Sequence, residues 1–158
     1  MLKKVAIIMG SDSDHSVMKE AAAALSELNV EFKMQIVSAH RTPKEMAQFA
    51  ESAKENGYGV IIAGAGGAAH LPGMVAAHTT LPVIGVPVPI GPLAGQDALW
   101  SIVQMPKGVP VATVAIGNAY NAGLLAAQIL GVFDTLLDKR LESHREGMRK
   151  ASLAKKLP

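Results

Sequence analysis

Three short stretches hold most of the residues in this chain that could do chemistry: Gly10-Ser-Asp-Ser-Asp14, Ser38-Ala-His-Arg41 and Gly64-Ala-Gly-Gly-Ala-Ala-His70. Histidine exchanges protons near neutral pH, which makes His40 and His70 candidate catalytic acid/base groups. Arg41 and Ser38 flank the start of a helical pattern, and a guanidinium with free helix amides suits a phosphate. Asp12 and Asp14 would repel a phosphate but can accept from sugar hydroxyls, and Ser11 adds a hydroxyl beside them. Gly66 and Gly67 let backbone approach a ligand closely. These types together suggest a mononucleotide site, with phosphate near Arg41 and ribose near Asp14.

Each residue also has a plainer role. A Ser or Asp before a helix caps it, a loop arginine commonly makes a surface ion pair, and a lone loop histidine is usually structural. His15, His78 and His144 fall within helical patterns and keep that plainer role. The glycine-rich stretch loosely fits G-x-G-x-x-G/A, but a dinucleotide site needs an acidic residue about 20 positions on. Nothing between Ala65 and Gln96 is acidic, so that reading fails. A metal site is poorly supported, because two histidines lack a third ligand at suitable spacing, Asp12 being the one candidate.

These stretches must be positioned by strands. Val5–Met9 and Val60–Ala63 are continuous apolar runs, the mark of strands buried on both faces. Phe32 to Val37, Val83–Val86 and Val111–Ala115 complete the set. Helical spacing links them: Val17 to Leu28, a helix opened by Thr42-Pro43-Lys-Glu45 as N-cap, N1 and capping-box partner, Pro72 to about Thr79, Gln96 to Gln104, and Asn118 to Leu130. The order βαβαβαβαβα with short connections predicts right-handed crossovers and an α/β three-layer sandwich. Its sheet is expected to be parallel and flavodoxin-like, in strand order 2-1-3-4-5. Ligands of such sheets sit at the carboxyl ends of the strands where the order reverses, which is where the three polar stretches fall. The loop Pro87–Gly95 is long for a compact domain, so it is expected to be functional or mobile.

The 158 residues fit one domain, residues 1–158, and 49% are apolar, enough for a real core. A net charge of +2 with basic residues gathered in the tail gives no case for a nucleic-acid partner. With no cysteine, thiolate chemistry and disulfides are excluded. No apolar run approaches the roughly 20 residues of a membrane span, and the expected location is the cytoplasm. Residues 133–155 read as a charged helical arm with a narrow stripe at Phe133, Leu137, Leu141, His144 and Met148. Such a stripe either lies on its own subunit or crosses to a neighbouring one.

Gly10-Ser-Asp-Ser-Asp14, Ser38-Ala-His-Arg-Thr-Pro43, Ala63–Gly73 and Ser101-Ile-Val-Gln-Met-Pro106 closely resemble the class I N(5)-carboxyaminoimidazole ribonucleotide mutases of purine (IMP) biosynthesis. The resemblance covers nearly the whole chain in order. It implies an isomerase in a homo-octamer, without cofactor or metal, that moves a carboxylate from the exocyclic nitrogen of a ribonucleotide to carbon 4 of its imidazole. It implies His40 as general acid/base, with Ser11, Gly66, Gly67, His70 and Leu71 around the base and the migrating carboxylate. The apolar, proline-rich Pro87–Gly95 loop departs from the polar version expected of many members. Three other readings stand beside this one. The first is a carboxylase using free carbon dioxide and aminoimidazole ribonucleotide. The second is a flavodoxin-like nucleotide-binding module, although only Trp100 and Tyr120 are aromatic near the strand ends. The third is a phospho-accepting switch domain, which expects Asp and Lys where this chain has Ala63 and Ala115.

Overall fold

A computed structural model describes residues 3–157. Its sheet is parallel, in the order β2-β1-β3-β4-β5, as the sequence predicts. The strands are β1 (Lys4–Met9), β2 (Phe32–Ile36), β3 (Tyr58–Ala65), β4 (Val83–Pro87) and β5 (Ala112–Thr113). The helices are α1 (His15–Glu27), α2 (Pro43–Ser52), α3 (Leu71–Ala77), α4 (Gln96–Val103), α5 (Ala119–Gly131) and α6 (Thr135–Leu153), with a single 3-10 turn at Asp12–Asp14.

Two cores sandwich the sheet, because alternate strand residues point to opposite faces. Val5, Ile7, Val60 and Ile62 meet α1 and α5 on one face. Ala6, Ile8, Ile61 and Ala63 meet Met46 of α2, Val75 of α3 and Ile102 of α4 on the other. The small residues allow close helix packing: Gly123 of α5 lies directly against Ala21 and Ala24 of α1. β3 is buried along all eight of its residues, as a central strand covered on both faces must be.

Three expectations are corrected. β5 spans two residues rather than Val111–Ala115, because it lies at the sheet edge with Ala112 exposed and follows Pro110, which has no N–H to pair. The capping box of α2 does not form: the Thr42 hydroxyl donates to the Ser38 carbonyl at 3.0 Å instead of capping its helix. Phe133 lies outside α6, whose N-cap is Asp134, its carboxylate accepting from the amides of Leu136 and Leu137.

The Pro87–Gly95 loop, expected to be functional or mobile, is held by hydrogen bonds. It is tied down at both ends and within. The Val88 N–H donates to the Ala65 carbonyl at 2.9 Å, the Gly117 N–H to the Pro87 carbonyl at 2.8 Å, and the Ile90 N–H to the Val88 carbonyl at 3.0 Å. Val88 itself is buried in the core. Prolines that fix φ leave such a segment little freedom.

The arm begins on its own subunit. Leu137 is buried against α5, and Leu141 packs partly on the same core. Beyond them the stripe opens, with Met148 half exposed and Leu153 more so.

Candidate active site

β2 and β3 flank β1, so the loops that leave β2 and β3 can meet only across the end of β1. The turn after β1 is compact enough to allow it. Its Ser11 N–H donates to Asp14 Oδ2 at 3.2 Å, folding the loop into the one-turn helix that leads to α1. Above it, His40 Nε2 and His70 Nδ1 lie 2.8 Å apart with the rings edge-on, 87° between planes.

A cleft of about 200 Å³ opens at this point, and most of the expected site residues line it. Ser11 and Asp14 come from the β1 loop, Ser38, His40 and Arg41 from the β2 loop, and Gly66, His70 and Leu71 from the β3 loop. Asp12 and Gly67 are the exceptions. Asp12 is exposed and turned back on its own loop, accepting from the Ser11 hydroxyl at 2.9 Å and the Ser13 N–H at 3.0 Å. Gly67 shapes the wall without lining it, since its φ of +64° is a left-handed turn that favours glycine. A larger hollow of about 630 Å³ lies at the other end of β1, beside Lys3, Phe133 and Arg140, and holds none of the strand-end residues.

The cleft also takes in Ser13, Ala39, Ala65 and Ile90. Ser13 was visible in its polar stretch. Ile90 had no signal of its own, because an isoleucine in an apolar loop reads as core. Its place is set by Gly66: a Cβ there would run into the Ile90 side chain and the Val88 carbonyl.

Two neighbouring carboxylates are driven in opposite directions. Burial pushes the Asp14 carboxyl above its usual range, partly offset by donation from the Ser11 N–H and the Ser13 hydroxyl. Asp12, exposed, is held below that range by its Ser11 and Ser13 hydrogen bonds. The Arg41 charge favours ionisation of both. Arg41 also starts the turn into α2, its N–H donating to the Ser38 hydroxyl at 3.2 Å. The cleft thus has one basic corner beside a helix N-terminus and one acidic corner set into the wall.

The histidine pair has a chemical property that neither ring has alone. One proton occupies the bond between Nε2 of His40 and Nδ1 of His70. With both rings neutral, whichever ring donates keeps a free lone pair on its other nitrogen, and the acceptor carries an outward N–H. Either tautomer therefore presents one donor and one acceptor outward, an acid and a base side by side.

Among the described residues, no group of three or more His, Asp or Glu side chains stands close enough to hold a metal ion. His78 bonds Glu51 at 3.1 Å, away from the cleft. Trp100 is exposed on α4, and Tyr120 bonds Glu27, so neither offers the cleft a stacking face.

Comparison with known proteins agrees with this architecture. The N5-carboxyaminoimidazole ribonucleotide mutase of Bacillus subtilis is 61% identical over 151 residues, spanning 94% of this chain and 93% of that protein. The enzyme of the same name from Thermotoga maritima is 58% identical over 154 residues, spanning 98% and 90%. The crystal structure of Treponema denticola PurE superposes with a TM-score of 0.86 at 29% identity, covering 94% of this chain and 93% of that one. The sequence pattern of the AIR carboxylase family matches residues 4–151, and with relatives this similar along their whole length, the chain belongs to that family.

Proposed function

We propose that this chain is an isomerase of purine biosynthesis that converts N(5)-carboxyaminoimidazole ribonucleotide to 4-carboxy-5-aminoimidazole ribonucleotide, as its similarly named relatives do. The observation that carries the reading is the hydrogen-bonded His40–His70 pair in a cleft that Arg41 and Asp14 also line. Arg41, Ser38 and the N-terminus of α2 hold the phosphate. Asp14 and Ser11 accept and donate to the ribose hydroxyls, with Asp12 and Gly67 supporting the loops rather than touching the sugar. Gly66 and Leu71 wall the imidazole.

The reaction needs two proton movements, and the pair supplies both. The carbamate C–N bond breaks, carbon dioxide leaves, and its electron pair stays on nitrogen, which takes a proton. Carbon 4 then attacks the carbon dioxide, and the proton on that carbon must go to a base. His40 is the principal group in these transfers, and His70 relays through the bond between them. Atoms balance within the substrate, so the chemistry asks for no cofactor.

The enzyme acts on a small ribonucleotide in the cytoplasm and assembles with further copies of itself into an octamer. Support for assembly comes from the junction of α5 and α6, where Val132 is 74% and Phe133 92% exposed. Apolar side chains so uncovered call for a partner surface, and the outer half of α6 is suited to reach it. A second reading, direct carboxylation of aminoimidazole ribonucleotide, is favoured by the family's own description. Purified protein supplied with either carboxylated ribonucleotide should interconvert the two without ATP, metal or added bicarbonate. Strict dependence on bicarbonate would select the carboxylase instead.

A further inference from the structure

Ile90 stands apart from the rest of the cleft wall. Among the lining residues it and Leu71 are the large aliphatic side chains, facing an otherwise polar set of serines, histidines, Asp14 and Arg41. Leu71 is 2% exposed and forms the floor, whereas Ile90 is 40% exposed and forms the lip. The lip is fixed, not swinging. Two residues before Ile90 the Val88 N–H is bonded to the Ala65 carbonyl at the end of β3, the Ile90 N–H is bonded to the Val88 carbonyl, and prolines stand on both sides at Pro89 and Pro92. Its side chain rests on the bare backbone of Gly66, in space that any Cβ there would take.

We propose that Ile90 is the apolar wall that keeps released carbon dioxide in the cleft until carbon 4 captures it, so that this residue sets the partition between transfer and loss. The proposal rests on the isomerase reading above. Carbon dioxide is small and uncharged, and polar groups give it little to bind. A rigid aliphatic surface excludes the water through which it would diffuse away. Ile90 and Leu71 give the cleft its aliphatic surface, and removing the exposed lip opens it to solvent.

The test uses substrate with an isotope-labelled carboxylate, in buffer holding unlabelled bicarbonate, and reads the unlabelled share of the carboxylated product. Because this share is a ratio, it does not depend on how much of a variant is folded. Wild-type protein should retain most of its label, and Ile90→Leu should do the same. Ile90→Ala should raise the unlabelled share about tenfold, and Ile90→Val about twofold, in line with what missing methylenes cost in an apolar pocket. If wild-type protein retains label while Ile90→Ala and Ile90→Val match it, the wall role is wrong and the isomerase stands. If Ile90→Ala makes no product, the smaller Ile90→Val change decides on the same ratio. If wild-type protein makes product only with bicarbonate, the isomerase reading falls and this inference with it.

Discussion

His40 and His70 meet 2.8 Å apart at the carboxyl end of the sheet, both exposed and each bonded through one ring nitrogen. His144 lies instead among helices, its Nδ1 3.9 Å from Glu27 Oε2, and the same Glu27 oxygen accepts from the Tyr120 hydroxyl at 2.6 Å. Glu27 ends α1, Tyr120 belongs to α5 and His144 to α6. Both clusters join a histidine to residues distant in sequence, yet their chemistry is spent differently. In the helix cluster the Tyr120–Glu27 hydrogen bond ties α5 to α1, while His144 of α6 reaches the same carboxylate only at ion-pair range and keeps its buried Nε2 unpartnered. At the strand ends the polar atoms are satisfied on one side only, leaving donors and acceptors for a ligand. Residue type alone separates neither case. What separates them is access: His40 and His70 are exposed and line the cleft, whereas the His144 side chain is only 19% exposed and packs between helices.

The largest effect should come from breaking the strand-end pair. His40→Asn keeps a hydrogen-bonding group of similar shape but cannot carry a proton, so turnover should drop by about 10²–10⁴-fold. Nucleotide binding should hardly change, because the residues proposed to hold phosphate and ribose, Arg41, Ser38 and Asp14, are left in place. Calorimetric titration with the product ribonucleotide, beside steady-state rates, separates the two. Near-normal turnover in this variant would remove His40 from the mechanism.

Asp14 sharpens the comparison from another side, since it is a buried carboxylate that also lines the cleft. At 3% exposure its charge is costly, and burial raises its carboxyl pKa above the unfolded value. The folded chain therefore holds that proton more tightly than the unfolded one. Stability falls as pH rises through the raised value, and the cost persists at neutral pH. Asp14→Asn keeps an acceptor for the Ser11 N–H and removes the buried charge. Its melting temperature at pH 7 should equal or exceed that of the wild type. Losing a charged hydrogen bond to the ribose should raise KM by about 10- to 100-fold. A lower melting temperature with unchanged KM would assign Asp14 to structure alone.

Much of this could be read before any coordinates, for reasons that are local. Val5–Met9 and Val60–Ala63 are visible as strands because both their faces are buried, which leaves no polar residue to break the run. The strand-end rule then gathers Ser11, Asp14, Ser38, Arg41 and Gly66 at one edge, where the cleft lies. Other features depend on distances that sequence does not encode. The His40–His70 bond needs β2 and β3 to flank β1 and the β1 loop to stay low. β5 shrinks to Ala112–Thr113 because an edge strand lacks a second neighbour to hold it. Ile90 was hidden for a different reason, since its role depends on the missing Cβ of Gly66, a residue far from it in the chain.

The smallest effect tests the helix cluster. Tyr120→Phe deletes the hydroxyl that bonds Glu27 and leaves the ring beside His144, whose centroid is 6.3 Å away. Turnover should not change, and stability should fall by about 1 kcal/mol, the net worth of one hydrogen bond. A pH signature accompanies it. Burial, with Glu27 accepting from the hydroxyl, raises its pKa from 10.0 to about 12. The unfolded chain thus releases this proton at a lower pH than the folded one. The stability it contributes is whole below pH 10.0 and is lost as pH climbs towards about 12. Denaturant melts of the wild type should show that decline, and those of Tyr120→Phe a shallower one. Equal slopes, or a loss of turnover in the variant, would mean that the helix cluster is not the purely structural counterpart of the histidine pair.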